Sequence, residues 1–153
     1  MTQATIRLLN TGDDALLVNA VDGVFDNPVN PELARAFLDD PRHHIVAAID
    51  DDRVVGFVSA VDYIHPDKPI ELWINETGVA PSHQKQGLAK AMLLQMLAHG
   101  RAMGCGTAWV LTDATNVAAN ALYLSVGGEA GADHDRNNQS TVGYSFDLEN
   151  TPK

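Results

Sequence analysis

The stretch from Glu71 to Lys90, ELWINETGVAPSHQKQGLAK, constrains the fold of this chain more than any other. Apolar residues alternate at Leu72 and Ile74, which predicts a β-strand, and Gly78 and Pro81 predict a turn after it. A long apolar helix is expected to follow the turn. The stretch therefore predicts a strand, a turn and a helix in immediate succession.

The first turn of this predicted helix is a candidate anion-binding site. Backbone N–H groups at a helix start are unpaired and lie at the positive end of the helix dipole. Gly87 and Ala89 have almost no side chain, so a phosphate can approach the backbone, and Gln84 and Lys85 can add donors. A diphosphate would suit this site. Small residues at a helix start also serve simply to let helix and strand pack closely, and this alternative stays open.

Two common nucleotide-binding motifs do not match the turn. It lacks the glycines of G-x-G-x-x-G, and it lacks the Gly-Lys-Ser/Thr ending of a P-loop. The sequence therefore gives little support to a dinucleotide or a nucleoside triphosphate as the ligand.

Length and charge limit the classes of protein. The 153 residues suit one compact domain over 1–153, with a tail, Glu149 to Lys153, that is expected to fray. The formal net charge of −10 argues against a nucleic-acid partner, because neutralising phosphates needs clustered Lys and Arg. A cationic substrate fits this charge better, although surplus carboxylates also keep proteins soluble.

The cysteine content and the N-terminus give further limits. The single cysteine, Cys105, excludes an internal disulfide, and a small buried residue beside a turn explains it better than a nucleophile does. The N-terminal run MTQATIRLLN lacks the pattern of a signal peptide, and no apolar run approaches the length of a membrane span. The protein is therefore expected to be cytoplasmic, without a membrane partner.

The remaining pattern predicts an α+β fold with a mixed central sheet of six or seven strands and helices on both faces. A strand, a helix and a strand form a right-handed crossover, so the strands on either side of the long helix should be parallel. The other predicted elements are a strand at Thr5 to Leu9, a helix from Gly12 to Phe25, a helix capped by Asn30 and running to Leu38, strands at His44 to Ile49, Val54 to Val61 and Thr107 to Thr112, a helix from Asn116 to Val126, a polar loop at Asp133 to Ser140 and a strand at Thr141 to Leu148.

The run from Val79 to Ala89, VAPSHQKQGLA, resembles motif A of the GNAT superfamily of N-acetyltransferases, Gln/Arg-x-x-Gly-x-Gly/Ala after a V-x-P-x-x turn. In that family this loop holds the pyrophosphate of acetyl-coenzyme A (acetyl-CoA), so the resemblance implies acetyl-CoA as cosubstrate and no metal. It also implies a sheet splayed between the fourth and fifth strands. The cofactor-binding residues that it implies are Thr77, Gly78, Val79, Gln84, Lys85, Gln86, Gly87, Leu88, Ala89 and Lys90.

A second run, NVAANALY from Asn116 to Tyr123 with Gly127 four residues later, resembles motif B of the same family. It adds Asn116, Ala119 and Tyr123 to the implied cofactor site. Apart from the resemblance, Asn116 would be simply a helix cap and Tyr123 a core aromatic residue.

The implied reaction needs a base and an acid. An amine must lose a proton before it attacks the thioester, and the departing thiolate benefits from a proton donor. A tyrosine hydroxyl, with a reference pKa of about 10, is protonated at neutral pH, so Tyr123 is the candidate acid. Glu76, just before a bulge expected near Gly78, is the candidate base, unless it only balances charge at the strand end. By resemblance the N–H of Val79 binds the acetyl oxygen and stabilises the tetrahedral intermediate. Glu71, farther up the strand, is expected to be solvated.

The acceptor is predicted to be a small cationic amine. The chain resembles the smaller aminoglycoside 3-N-acetyltransferases, whose acidic residue before motif A falls on Glu76 and whose aspartate after the fifth strand falls on Asp113. Separate carboxylates would hold the several ammonium groups of an aminoglycoside. Asn75 replaces a tyrosine of those enzymes, and Asp26 is a further candidate in the acceptor wall. The resemblance therefore implies acetylation of the 3-amino group and antibiotic inactivation.

The sequence leaves other functions open. A polyamine or a protein amine could be the acceptor, and the chain could be an acyl-CoA-binding module without turnover. Members of the family are often dimers, which leaves a homodimer open. The run Asp133-His134-Asp135 could suggest a metal site, but a third ligand is not evident. His83, beside the phosphate loop, could contact the cofactor.

Overall fold

The computed structural model describes residues 3–131 and 140–149, which form seven strands and four helices. The strands are β1 (Thr5–Leu8), β2 (His43–Asp50), β3 (Arg53–Tyr63), β4 (Glu71–Val79), β5 (Thr107–Asp113), β6 (Glu129–Ala130) and β7 (Thr141–Asp147). The helices are α1 (Asp14–Val18), α2 (Pro31–Asp39), α3 (Leu88–Ala102) and α4 (Val117–Ser125). The strands make one sheet in the order β1-β2-β3-β4-β5-β7-β6.

The strand directions confirm the predicted mixed α+β sheet. The pairs β1–β2, β2–β3, β5–β7 and β6–β7 are antiparallel, whereas β4 and β5 are parallel. This parallel pair is the one that the predicted strand–helix–strand crossover requires, with α3 as the crossover helix. The expectation of six or seven strands is met by seven.

Strands β4 and β5 pair over only the first part of their length. Their register runs from Glu71↔Thr107 to Ile74↔Val110, and β4 then continues from Asn75 to Val79 beyond the last pair. The two strands are therefore splayed at the C-terminal end of β4, as the resemblance implied.

The prediction of a first helix reaching Phe25 is wrong, because α1 gives way to an irregular connecting segment, residues 19–29. The Arg53 guanidinium donates to the carbonyls of the first two residues of this segment at 3.2 and 3.4 Å. The N–H of Val21 donates to the carbonyl of Val54 at 2.9 Å. A longer helix would need these same backbone groups, so contacts from β3 override the local helical pattern.

Helix α2 confirms the predicted cap at Asn30. The Asn30 Oδ1 atom accepts hydrogen bonds from the backbone N–H groups of Glu32 at 2.9 Å and Leu33 at 3.1 Å. Pro31 is the first helical residue, where its missing N–H costs nothing. These signals are local in sequence, which is why the sequence alone predicts them.

Contacts divide the chain into two compact units, of which the first comprises Met1–Val61 and Glu76–Met96. In this unit the sheet is covered on both faces. A Cβ at Gly56 would lie 3.0 Å from Met92 of α3, and the Phe57 ring stacks on Phe25 with centroids 4.2 Å apart. Neighbouring strand residues point to opposite faces, so α3 lies on one face and the connecting segment on the other.

The second unit comprises Asp62–Asn75 and Leu97–Lys153. Its single cysteine, Cys105, is 3% exposed, which confirms the expectation of a small buried residue. Burial raises the pKa of the Cys105 thiol, with a smaller contribution from the charge of Asp62. A buried, protonated thiol is a poor nucleophile.

One domain over 1–153 stays a prediction. Residues 132–139 and 150–153 lie outside the described residues, and they include most of the predicted polar loop and of the predicted frayed tail. Among the residues that are described, no helix combines the length and the apolar character of a membrane span.

Candidate active site

The loop immediately before α3, Gln84–Gly87, has an unusual backbone. Lys85 and Gly87 both have positive φ, at 64° and 78°. Helix α3 begins at Leu88, and the N–H of Ala91 donates to the carbonyl of Gly87 at 3.1 Å. The backbone N–H groups of the first three helical residues therefore lie before the first hydrogen bond of the helix. They are at the positive end of the helix dipole.

The surroundings of Gly87 distinguish between two explanations for the small residues at this helix start, an anion site and close packing. A Cβ at Gly87 would meet nothing within 4 Å, so close packing does not require glycine there. The positive φ does favour glycine, and there is open space beside the backbone. The four loop residues and Lys90 are exposed, and Leu88 and Ala89 are half-buried. A backbone of this kind at a helix N-terminus fits a diphosphate.

Glycine is required at position 78, near the end of β4, for a different structural reason. A Cβ there would lie 2.5 Å from the carbonyl oxygen of Val24 and 2.9 Å from the Phe57 ring. Glycine is therefore needed because the connecting segment crosses β4 at this point. Its half-buried neighbours Thr77 and Val79, and Gly78 itself, stay predictions as cofactor contacts. The bulge expected near Gly78 stays a prediction.

Replacing Gly78 by alanine is expected to lower the free energy of unfolding by about 3 kcal/mol, the upper part of the range for overpacked sites. The new Cβ would meet a backbone oxygen, which cannot move aside as the end of a side chain can. Gly104→Ala is the matched control, because Gly104 has φ of 89° and nothing within 4 Å of its Cβ position. That control should lose only about 1 kcal/mol, from the backbone conformation. Equal losses in urea denaturation would show that the approach of Val24 is not the cause.

Glu76 and Asn75 are both exposed on the part of β4 beyond its pairing with β5. Earlier in the strand, Leu72 and Ile74 are fully buried. The carboxylate of Glu76 is therefore accessible to an incoming amine and to water. Its role as base and the substrate contact of Asn75 stay predictions.

The expectation that Glu71 is solvated is wrong. Its carboxylate accepts from the Tyr63 hydroxyl at 3.2 Å and lies 3.1 Å from His65 Nε2 and 3.6 Å from Lys68 Nζ. Burial raises the pKa of Tyr63, a hydrogen bond from Trp109 lowers it, and the charge of Glu71 raises it further. Glu71 therefore belongs to a polar network at the start of β4.

The connecting segment lines a cavity of about 300 Å³. Its wall combines the Phe25 ring with two exposed carboxylates, Asp22 and Asp26. The volume is at the lower end of the range for small-molecule sites, roughly 300–1,000 Å³. The structure thus places the predicted Asp26 at a cavity, with Asp22 beside it.

The turn from β5 into α4 is closed by local hydrogen bonds. Asn116 Oδ1 accepts from the N–H of Ala119 at 3.0 Å, so the cap predicted there is confirmed. Asp113 Oδ1 accepts from the hydroxyl of Thr115 at 2.7 Å and from its backbone N–H at 2.8 Å. The hydroxyl bond, followed by the backbone bond, lowers the pKa of Asp113. Asp113 is therefore an anion at neutral pH, and its contact with an acceptor stays a prediction.

Asn120 holds this turn together, a role that was not predicted from the sequence. Its Nδ2 donates to the carbonyls of Asp113 at 3.0 Å and Asn116 at 2.7 Å. Its Oδ1 accepts from the Tyr144 hydroxyl at 2.6 Å. Asparagine has a low helix propensity, so its position inside a helix is the signal that could have revealed this role.

Tyr123, the candidate acid, is 5% exposed. Its ring lies 5.6 Å from that of Tyr144 and 6.4 Å from that of Phe146, measured between centroids. The packing role that the residue would have outside the resemblance is therefore confirmed. The proton-donor role of its hydroxyl stays a prediction.

Each unit contains one part of the predicted site. The first unit contains Asp26, the end of β4 from Glu76 and the residues Gln84 to Lys90. The second contains Asn75, Asp113, Asn116, Ala119 and Tyr123. Within residues 3–131 and 140–149, no three His, Cys, Asp or Glu side chains are placed to hold a metal, and Asp133-His134-Asp135 lies outside them.

A comparison with known families identifies the class of protein that this fold and loop define. The sequence model of the Acetyltransferase (GNAT) family matches residues 16–127 of this chain. The chain therefore belongs to this family.

Relatives and solved structures agree with this assignment. A mycothiol acetyltransferase of Saccharopolyspora erythraea is 33% identical over 84 residues, which are 55% of this chain and 26% of that protein. The match thus spans about a quarter of the length of that curated relative. Arabidopsis thaliana NAA60 in complex with acetyl-CoA gives a TM-score of 0.74 at 18% identity, covering 96% of this chain and 99% of that chain.

An aminoglycoside acetyltransferase from an uncultured soil metagenomic sample, in complex with sisomicin, has a similar fold. Its TM-score is 0.70 at 16% identity, over 81% of this chain and 87% of that chain. At such identities the likeness to either solved structure concerns the fold alone.

Proposed function

We propose that this chain is an acetyl-CoA-dependent N-acetyltransferase that moves an acetyl group directly to an amine. The observation that carries the proposal is the exposed loop Gln84–Gly87, which has two positive-φ residues immediately before α3. It follows a strand, β4, that has separated from its parallel partner. Membership of the GNAT family supports the same class of reaction.

The start of α3 would hold the diphosphate of acetyl-CoA. Backbone N–H groups from Leu88 to Lys90 would donate to its oxygens, and Lys85 and Lys90 would offset its charge. Thr77, Gly78 and Val79, together with Asn116 and Ala119, are the further proposed contacts. Bound acetyl-CoA supplies the acyl group in activated form, as a thioester.

Glu76 would take the proton of the incoming ammonium, directly or through water. The neutral nitrogen would then form a bond to the acetyl carbon while the bond between carbon and sulfur breaks, which leaves a positive charge on the nitrogen. Tyr123 would donate its phenolic proton to the departing thiolate, and the nitrogen would give up its second proton to the resulting phenolate, directly or through water, so that the products are an amide and a thiol. The exposed position of Glu76 supports the first step, because a carboxylate must be reached by the amine.

We propose a small cationic amine as the acceptor, most specifically the 3-amino group of an aminoglycoside. The net charge of −10 and the pair of carboxylates at the cavity of the connecting segment support this choice. The similar fold of an aminoglycoside acetyltransferase is compatible with it. Asn75, Glu76 and Asp113 would add further polar contacts. Acetylation would then inactivate the antibiotic.

A panel of acceptors tests the proposal. We expect release of free thiol from acetyl-CoA with gentamicin and much less with spermidine or a peptide. Spermidine or the peptide as the best acceptor would replace the aminoglycoside by a polyamine or a protein amine. Tight binding of acetyl-CoA in calorimetry without turnover on any of the three would identify a binding module instead of an enzyme.

Asp26→Asn is expected to raise the KM for gentamicin about tenfold and to leave the KM for acetyl-CoA unchanged. The reason is the loss of one charge-assisted contact, worth roughly 1.5–3 kcal/mol. Asp39→Asn is the matched control, because Asp39 is an exposed carboxylate that does not line the cavity. Equal effects of the two substitutions on the KM for gentamicin would remove Asp26 from the acceptor site.

A further inference from the structure

A hydrogen-bonded chain of three side chains lies immediately before the cofactor loop. His83 is the last residue of a 3₁₀ turn, Pro81–His83, and the next residue, Gln84, begins the loop. The Nε2 atom of His83 lies 2.7 Å from Asp50 Oδ2, and the Nδ1 atom of His83 lies 2.7 Å from Ser82 Oγ. The side chains of His83 and Asp50 are only 17% and 13% exposed. This contact was not predicted, since 33 residues separate the two partners.

The chemistry of the partners fixes the direction of both hydrogen bonds in the neutral ring. A carboxylate only accepts, so His83 Nε2 carries the proton and donates it to Asp50. The other ring nitrogen then accepts from the Ser82 hydroxyl. Both ring nitrogens are thus used within the protein, which fixes the orientation of the ring.

Asp50 lies at the tip of a tight β-hairpin. It is the last residue of β2 and pairs with Arg53 across a two-residue turn. The turn residues Asp51 and Asp52 have φ of 52° and 59°, which is the geometry of a tight hairpin. Arg53 also holds the start of the connecting segment. The tip of the β2–β3 hairpin therefore contacts both the turn before the cofactor loop and the segment that lines the cavity.

The cofactor loop needs support from outside because its own residues are exposed and Lys85 adopts a disfavoured left-handed backbone. The N–H of Ala80 donates to the carbonyl of Val55 at 2.8 Å and holds the chain before the loop. Gln84, the first residue of the loop, donates from Nε2 to the carbonyl of Val79 at 3.2 Å. The bond from His83 to Asp50 is shorter than either, involves a charged acceptor and directly precedes the loop.

We propose that His83, held by Asp50, is a positioning residue for acetyl-CoA: it fixes the loop Gln84–Gly87 in the conformation that receives the diphosphate. This inference rests on the proposed function. His83 itself acts through the backbone that follows it and takes no part in the chemistry.

The first test is the affinity for coenzyme A, measured by calorimetry without any acetyl transfer. His83→Ala is expected to raise the Kd for coenzyme A roughly tenfold, as the loss of one charge-assisted hydrogen bond predicts. His83→Gln should restore most of the affinity, because its amide nitrogen can donate to Asp50 from nearly the same position. His65→Ala is the matched control, since His65 pairs with Glu71 at 3.1 Å and is not part of this loop.

The second test compares two acetyl donors. With acetyl-CoA as the donor, His83→Ala should raise the KM for the donor and leave kcat nearly unchanged. With S-acetyl-N-acetylcysteamine, a thioester without a diphosphate, the KM and kcat of the same variant should match those of the wild type. A variant that merely lost stability would be impaired with both donors, and that result would overturn the inference.

Asp50→Asn provides an independent check. Combined with His83→Ala, it should weaken coenzyme A binding no further than His83→Ala does by itself, because both changes remove the same contact. Additive losses, or wild-type affinity in His83→Ala, would overturn the positioning role while the proposed function stands. Absence of coenzyme A binding by the wild type would instead overturn the proposed function and this inference with it.

Discussion

Glu76→Gln is expected to lower kcat by about 10²–10⁴-fold, the usual contribution of a positioned general base. Glutamine has nearly the shape of glutamate and no basic oxygen, so it cannot take the proton of the incoming ammonium. The KM for acetyl-CoA should stay within about twofold of the wild type, because the proposed diphosphate contacts lie at the start of α3. Steady-state kinetics with a fixed acceptor and varied acetyl-CoA separate the two quantities.

Glu71→Gln is the matched control for this prediction. Both glutamates lie on β4, but Glu71 is held by Tyr63, His65 and Lys68 near the start of the strand. The control should reduce thermal stability and keep most of the turnover. If Glu76→Gln kept the wild-type kcat, Glu76 would be left with charge balance at the strand end as its explanation.

The central strand–turn–helix could be predicted because its signals are local. Alternation at Leu72 and Ile74, glycine at position 87 and the apolar run of α3 each act on their immediate neighbours. The caps at Asn30 and Asn116 are local in the same way, since each accepts from an N–H within three residues. Short-range sequence patterns therefore predict the order in which these elements follow one another along the chain.

Contacts between distant residues could not be predicted in the same way. The end of α1 is set by Arg53, and Gly78 is required by the carbonyl of Val24. Asn120 and Tyr144 are 24 residues apart in sequence, and no local pattern pairs them. Each of these contacts depends on how closely the backbones of two separate elements approach each other. A pattern of a few neighbouring residues does not show that distance.

The two kinds of signal also differ in what they say about the site. Local patterns identified residues that an anion or a substrate could contact, such as Lys85 and Gly87. Distant contacts explain why those residues hold their positions, as the pair of Asp50 with His83 does. The resemblance to the GNAT family assigned roles to Tyr123 and Glu76 that neither kind of signal gives by itself.

Tyr123→Phe is expected to lower kcat by about 10²-fold, at the lower end of the range for general acid catalysis. The substitution removes only the hydroxyl, so the ring should keep its packing against Tyr144 and Phe146. The KM for acetyl-CoA should change little, because the change acts on the departing thiolate. An acetyl donor whose thiol is more acidic, such as acetyl-thionitrobenzoate, should recover part of the lost rate, since a better leaving group depends less on a proton donor.

Tyr144→Phe is the control that separates acid catalysis from packing. Tyr144 and Tyr123 are each 5% exposed, and the Tyr144 hydroxyl donates to Asn120 at 2.6 Å. Its loss should lower the free energy of unfolding by about 1 kcal/mol and affect turnover far less than Tyr123→Phe. Similar losses of turnover in the two variants, with no recovery on the more acidic thiol, would assign Tyr123 to the core alone. The proton on the departing sulfur would then have to come from water.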